Sequence, residues 1–285
     1  MKIGCHVSIR SGYAGAAKAA WDMGARSFQY FPKNPRGLSV KAFEQRDAAA
    51  CKQFCMDTGL VSIAHTPYPT NLSVDDPDLY QATVRSVIND LEIAEACGSI
   101  GLVVHFGQYK GKVEDPLYGY QLMIRMVNDI LGQWTGTALL LIENNAGQGN
   151  PMGITIEELV QIRQLLDQPE RVGYCLDTCH AFASGMWNGT DWLHVASKAR
   201  ELGYLQHVKA IHLNDSLFPT SSRRDRHANI GKGYIPEGGL QELLLTPEFQ
   251  GLPFVLETPH PAGESHQKEI AWVKERFLLK KEASL

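Results

Sequence analysis

The chain has 285 residues, 44% apolar and 20% charged, and its 27 lysines and arginines fall short of its 31 aspartates and glutamates, for a net charge of -4. This is ordinary soluble globular composition, and the mild acidity argues against gripping nucleic acid by overall charge, which usually needs a basic face. The opening Met1-Lys2-Ile3-Gly4-Cys5-His6 is no signal peptide and no window approaches the roughly 20 apolar residues of a membrane span, so a cytoplasmic protein is expected.

Eight short β-rich apolar runs follow in order: Ile3 to Val7, Ser27 to Phe31, Val61 to Ala64, Gly101 to Phe106, Ala138 to Ile142, Val172 to Leu176, Val208 to Leu213 and Pro253 to Leu256. Helical patterns separate them. Between the third and fourth, Val84, Val87, Ile88, Leu91 and Ala94 share one helical face, with Pro77 near the start and Gly98 at the end. After the fifth, Thr155 and Glu158 form a capping-box pattern ahead of Leu159, Ile162, Leu165 and Leu166. Ser216 to Gly233, after the seventh, is the one long loop, and long loops in compact domains are often functional. Eight strands alternating with helices predict a single (β/α)8 TIM barrel over residues 1–285, with its site at the C-terminal face. A doubly wound open sheet also alternates, but no G-x-G-x-x-G follows the first strand and the polar residues gather at most strand ends instead of at one switch point.

Those strand ends carry the chemistry. His6 follows the first strand, His65 the third, and Glu143 the fifth; His105 lies in the fourth and His212 in the seventh; Asp177 and His180 follow the sixth, and Glu257 the eighth. The long loop adds Asp225 and His227. Each has a plainer reading taken alone: a strand histidine is more often a hydrogen-bonded core residue, Asp177 could be only a helix N-cap, and Asp225 with His227 could be solvated loop. Taken together on one barrel face, four carboxylates and five imidazoles need counter-cations, because a carboxylate removed from water costs several kcal/mol unless paired or metal-bound. Few lysines or arginines stand near, which leaves divalent metal. The six cysteines, at 5, 51, 55, 97, 175 and 179, contain no C-x-x-C pair and read as reduced thiols. Imidazole mixed with carboxylate, without thiolate, suits zinc, manganese or iron. Nine ligands suffice for about three ions at three to four each, and such clusters commonly serve phosphoester hydrolysis.

Three blocks carry a resemblance: Ile142-Glu143-Asn144-Asn145-Ala146-Gly147-Gln148-Gly149; Cys175-Leu176-Asp177-Thr178-Cys179-His180-Ala181-Phe182-Ala183-Ser184-Gly185; and His212-Leu213-Asn214-Asp215-Ser216 running on to Asp225-Arg226-His227. With Gly4-Cys5-His6-Val7-Ser8 and Leu256-Glu257-Thr258, the chain resembles the endonuclease IV family of apurinic/apyrimidinic-site endonucleases over essentially its whole length. The resemblance implies a TIM barrel with three Zn2+ (one or more replaceable by Mn2+ or Fe2+), which cuts duplex DNA 5′ to an abasic site and leaves a 3′-hydroxyl and a 5′-deoxyribose phosphate. It implies that His65 and His105 hold the first ion, with Glu143 bridging to the second. Asp177, His212 and Glu257 complete the second, and His180, Asp225 and His227 hold the third. Glu143 and Glu257 are the implied catalytic carboxylates. The loop Lys33-Asn34-Pro35-Arg36 and Tyr68 look like DNA contacts, with Arg36 entering the minor groove and Tyr68 wedging at the lesion. Pro69 and His105-Phe106-Gly107 depart from the family pattern.

Two rivals remain. A single-metal sugar isomerase or epimerase would need only Glu143, Asp177, His212 and Glu257, leaving five ligands unused; a non-catalytic lesion binder would need none of the nine. About three divalent ions would also turn the net charge to about +2, with Lys33, Arg36, Arg223, Arg224 and Arg226 at the rim facing DNA. A monomer is expected.

Overall fold

The computed structural model describes residues 1–115, 117–149, 152–260 and 265–277. In chain order its elements are β1 (Lys2–His6), α1 (Gly12–Asp22), β2 (Ser27–Tyr30), α2 (Gln45–Thr58), β3 (Val61–His65), α3 (Pro77–Ala96), β4 (Gly101–His105), α4 (Tyr118–Gln133), β5 (Leu139–Glu143), α5 (Ile156–Gln164), β6 (Val172–Asp177), α6 (Thr178–Ser184), α7 (Trp192–Glu201), β7 (Val208–His212), β8 (Asp215–Ser216), β9 (His227–Ala228), α8 (Glu237–Leu244), β10 (Pro253–Leu256) and α9 (Gln267–Phe277). The predicted strand runs agree with these to within a residue or two at either end.

Eight strands close a barrel in the order β1-β10-β7-β6-β5-β4-β3-β2. Every pairing is parallel. An open doubly wound sheet is thereby excluded, because β1 pairs with both β2 and β10 and leaves no edge. Closure brings backbones very close at one point: a Cβ on Gly4 would lie 1.6 Å from the Ser27 carbonyl oxygen, so only glycine fits there.

Two apolar layers hold the barrel. The larger fills the space between strands and helices; the smaller, of Ile63, Val103, Leu141, Cys175, Ala210 and Val255, is the barrel interior. Side chains alternate across a strand, so the residue two places beyond each of these also points inward, one layer higher. Those six residues are His65, His105, Glu143, Asp177, His212 and Glu257. The ionisable set is the lid of the interior core.

The helix signals are realised unevenly. Asp76 caps α3, accepting from the Leu79 N–H at 2.8 Å with Pro77 in the first turn, and the Thr155–Glu158 capping box forms as read. Leu165, expected in the buried stripe, is instead 55% exposed, whereas Leu166 is buried: at about 100° per residue, Leu165 falls about 120° from Leu159 and off the face that packs on the core. The long loop is not featureless. β8 and β9 pair antiparallel within it, and the Asp215 carboxylate accepts from the N–H groups of Ser216, Gly231, Gly233 and Ile235 at 2.7 to 3.0 Å. No helix among the described residues is long and apolar enough to cross a membrane.

Candidate metal centre

The nine expected ligands meet at the C-terminal mouth of the barrel. Their ligand atoms fall into three groups, each within 4.8 Å: His65, His105 and Glu143; Glu143, Asp177, His212 and Glu257; and His180, Asp225 and His227. Seven of the nine line a cavity of about 370 Å³, while Asp177 and His212 are fully buried beneath it. Glu143 belongs to two groups because its oxygens face different ways. Oε2 lies 3.4 Å from His65 Nε2 and 3.3 Å from His105 Nε2, whereas Oε1 lies 2.9 Å from His212 Nδ1.

Four of the five imidazoles have one nitrogen committed to a fixed partner. His65 Nδ1 donates to the Thr66 carbonyl at 2.8 Å, His180 Nδ1 to the Asn144 carbonyl at 2.8 Å and His227 Nδ1 to the Glu257 carbonyl at 3.4 Å. A carbonyl can only accept, so a proton sits on Nδ1 and Nε2 is the nitrogen left to face the centre. His212 is reversed, with Nε2 against the Gln29 side-chain oxygen at 2.7 Å, which leaves Nδ1 for the centre.

These residues fit divalent cations. Glu143 Oε2, His180 Nε2 and His227 Nε2 are buried without a hydrogen-bond partner, although each lies 3.2 to 3.4 Å from another candidate ligand atom. Atoms that approach so closely without bonding one another converge on a shared point, and an orphaned buried polar atom costs about 1–3 kcal/mol unless something occupies that point. Cys179 also comes near Asp177 and His227; burial pushes its thiol up to about 12, and the thiol donates to the Arg226 carbonyl at 3.7 Å.

Without a cation the groups neutralise one another. Burial would raise the Glu143 carboxyl, but the imidazoles of His212 and His105 outweigh it and hold the group well below the usual range. Against the same burial, His212 holds Glu257 down to about 2. Burial would lower His180 and His212, yet Asp177 and Asp225 raise the first well above its usual value, and Glu257 with Glu143 contributes to raising the second.

Asp177 is both N-cap and candidate ligand: Oδ1 accepts from the His180 N–H at 2.7 Å, leaving Oδ2 to face the centre. Tyr68 is 67% exposed at the cavity wall, its ring 5.1 Å from that of Phe31. Its N–H donates to the Pro35 carbonyl at 2.9 Å, which places exposed Arg36 beside it. Lys33 is not on the rim. It is 4% exposed, paired with Asp90 at 3.1 Å and donating to the Ser86 carbonyl at 2.8 Å. A buried carboxylate on α3 draws the ammonium inward, which a sequence reading of a basic loop does not reveal. Arg223, Arg224 and Arg226 are exposed on the long loop.

Three amides that hold the candidate ligands carry no signal of their own in the sequence. Asn144 brackets Asp177, accepting from its N–H at 2.8 Å and donating to its carbonyl at 3.1 Å. Asn214 donates to Asp177 Oδ2 at 2.7 Å and accepts from the Glu257 N–H at 2.9 Å. Both directly follow or nearly follow a ligand position within the quoted blocks, which was the available signal. Gln29, on β2, has no such neighbour.

A closed parallel barrel with its ionisable groups gathered at the C-terminal mouth defines a class, and a family model described as "Xylose isomerase-like TIM barrel" matches residues 17–276. Within that class, "Probable endonuclease 4" of Symbiobacterium thermophilum is 44% identical over 274 residues, 96% of this chain and 99% of that one. The crystal structure of endonuclease IV from Thermus thermophilus superposes with a TM-score of 0.85 at 32% identity, covering 100% of both chains. The chain belongs to the endonuclease IV family. A D-tagatose 3-epimerase-like protein shares the fold, with a TM-score of 0.70 over 99% of this chain and 97% of that one, but only 17% identity.

Proposed function

We propose that this protein is a zinc-dependent endodeoxyribonuclease that hydrolyses the phosphodiester 5′ to abasic sites in duplex DNA, leaving a 3′-hydroxyl and a 5′-deoxyribose phosphate. The observation that carries this reading is the divided aim of Glu143, whose two oxygens each serve a different ligand group. A single-ion isomerase has no use for that division or for the five remaining ligands, and a mere lesion binder has no use for the set.

His65, His105 and Glu143 would hold one ion, Glu143, Asp177, His212 and Glu257 a second, and His180, Asp225 and His227 a third. Bound there, divalent ions supply Lewis acidity that makes water nucleophilic near neutral pH and offsets charge on a phosphate. Water adds to phosphorus, the bond to the 3′-oxygen breaks and that oxygen takes up a proton, while Glu143 and Glu257, which line the cavity, hold their charge at the reaction pH. Tyr68 supplies an aromatic face at the cavity wall and Arg36 a cation beside it, suited to a weakly stacked abasic step and its flanking phosphates.

The test is incision of a duplex bearing one abasic analogue, run before and after prolonged chelation, with bound metal counted in parallel. Cleavage 5′ to the lesion by protein holding about three zinc ions, lost on chelation and restored by zinc, is expected. No cleavage by protein that holds all three ions would overturn the reading.

A further inference from the structure

We propose that Gln29 is a positioning residue of the centre, which sets the tautomer of His212 and the orientation of Glu257; this rests on the metal assignment above. Gln29 is fully buried on β2, a strand to which the reading above assigns no ligand. Its place in the barrel explains how it reaches the site. Gln29 pairs in register with His6 on β1 and with Ile63 on β3, and Ile63 belongs to the barrel interior. Neighbours in register on parallel strands point the same way, so the amide rises inside the barrel, one layer beneath His65.

There it spans two ligands remote in sequence. Nε2 donates to Glu257 Oε1 at 2.6 Å and lies 3.2 Å from His6 Nδ1, while Oε1 lies 2.7 Å from His212 Nε2. One orientation satisfies all three contacts. A carboxylate only accepts, so the amide nitrogen must face Glu257. The amide oxygen then faces His212 Nε2, and an oxygen only accepts, so His212 must carry its proton on Nε2. That leaves Nδ1 as the nitrogen facing the centre, 2.9 Å from Glu143 Oε1, and free to give up its proton to an ion there. The same donation occupies Glu257 Oε1 and turns Oε2 inward, 3.2 Å from His212 Nδ1. One neutral amide thus selects the metal-facing atom on two residues, and both its N–H bonds and its oxygen are used.

Partners of this kind typically contribute about 10- to 100-fold in metal affinity. The protein is purified with zinc, and Gln29→Met, which keeps length and volume without the amide, is compared with Gln29→Ala. The variants are expected to match the wild type in far-UV circular dichroism, to release one of about three zinc ions to a chelator at least about 10-fold faster, and to lose kcat more than KM. Metal content and release within about twofold of the wild type in a folded variant overturn the proposal. A third measurement needs no substitution: in 15N-histidine-labelled, zinc-loaded wild type, His212 is expected to show its proton on Nε2, and a proton on Nδ1 overturns the proposal however the variants behave. Wild type that holds three ions and incises, beside unaffected variants, rejects the role of Gln29 alone; wild type that holds three ions and does not incise rejects the proposed function instead.

Discussion

At the scale of single residues, the informative asymmetry is between the two oxygens of Glu143. One faces His65 and His105, and the other faces His212, so under the proposed assignment the carboxylate would bridge only while both oxygens carry charge. Replacing one oxygen by an amide nitrogen keeps the shape and aims N–H bonds at nitrogen lone pairs instead. Glu143→Gln is therefore expected to stay folded, to hold fewer than three zinc ions and to lose incision by at least about 100-fold, by the magnitude of charge-stabilising groups at such centres. Retention of near-normal incision by the variant would show that the bridge is placed elsewhere. The ionisable cluster was legible in the sequence because such residues at strand ends are costly to bury and so stand out. Their supports were not. Asn144 and Asn214 sit inside recognisable blocks, yet an asparagine carries no charge whose burial must be explained, and Gln29 lies within an apolar run with only geometry to reveal it.

At the scale of elements, alternation along each strand explains why the site could be anticipated. Ile63 and His65, Val103 and His105, and Leu141 and Glu143 are the same inward face two residues apart, so an apolar run that ends on an ionisable residue of the right parity specifies both a strand and a site. What the pattern lacks is loop packing. Lys33 reads as a rim cation because it lies two residues beyond the apolar run, but α3 presents Asp90 behind the loop, and the buried pair ties the loop to that helix at Lys33. The loop that carries Arg36 and braces Tyr68 is thus anchored by an ion pair that has no water to fall back on. Lys33→Met alone should cost about 3 to 5 kcal/mol by leaving Asp90 unpaired, whereas Lys33→Met combined with Asp90→Leu should recover most of that loss. Denaturant unfolding of the single and double variants measures this, and strictly additive losses would mean that the two side chains do not act as a pair. The long loop after β7 follows the same rule: its shape comes from the Asp215 carboxylate collecting four backbone N–H groups, and no periodicity announces that.

At the scale of the whole molecule, the acidic balance of the sequence and a DNA substrate are reconciled by where the charge lies. Four of the 31 acidic side chains are gathered at the proposed ligand positions, and in the metal-free protein they hold the imidazoles of His180 and His212 well above their usual value in return. This makes stability and metal uptake depend on pH in opposite ways. Glu257 is held down to about 2 from the usual 4.5, so its contribution is complete above about pH 4.5 and drains away as pH falls toward about 2. His180 and His212 are held well above the usual 6.5, so theirs is complete below about pH 6.5 and is lost as pH rises through their folded-state values. The metal-free protein is accordingly expected to be most stable between about pH 4.5 and 6.5. An ion, by contrast, needs neutral imidazoles and must displace those protons, so its binding strengthens as pH rises. The melting temperatures of zinc-loaded and chelated protein should therefore lie close together near pH 5 and separate steadily toward about pH 8, with protons released on zinc addition in the lower part of that range. A gap that stays constant across the series would mean that the histidines are already neutral in the metal-free centre, and that the carboxylates are balanced by some other charge.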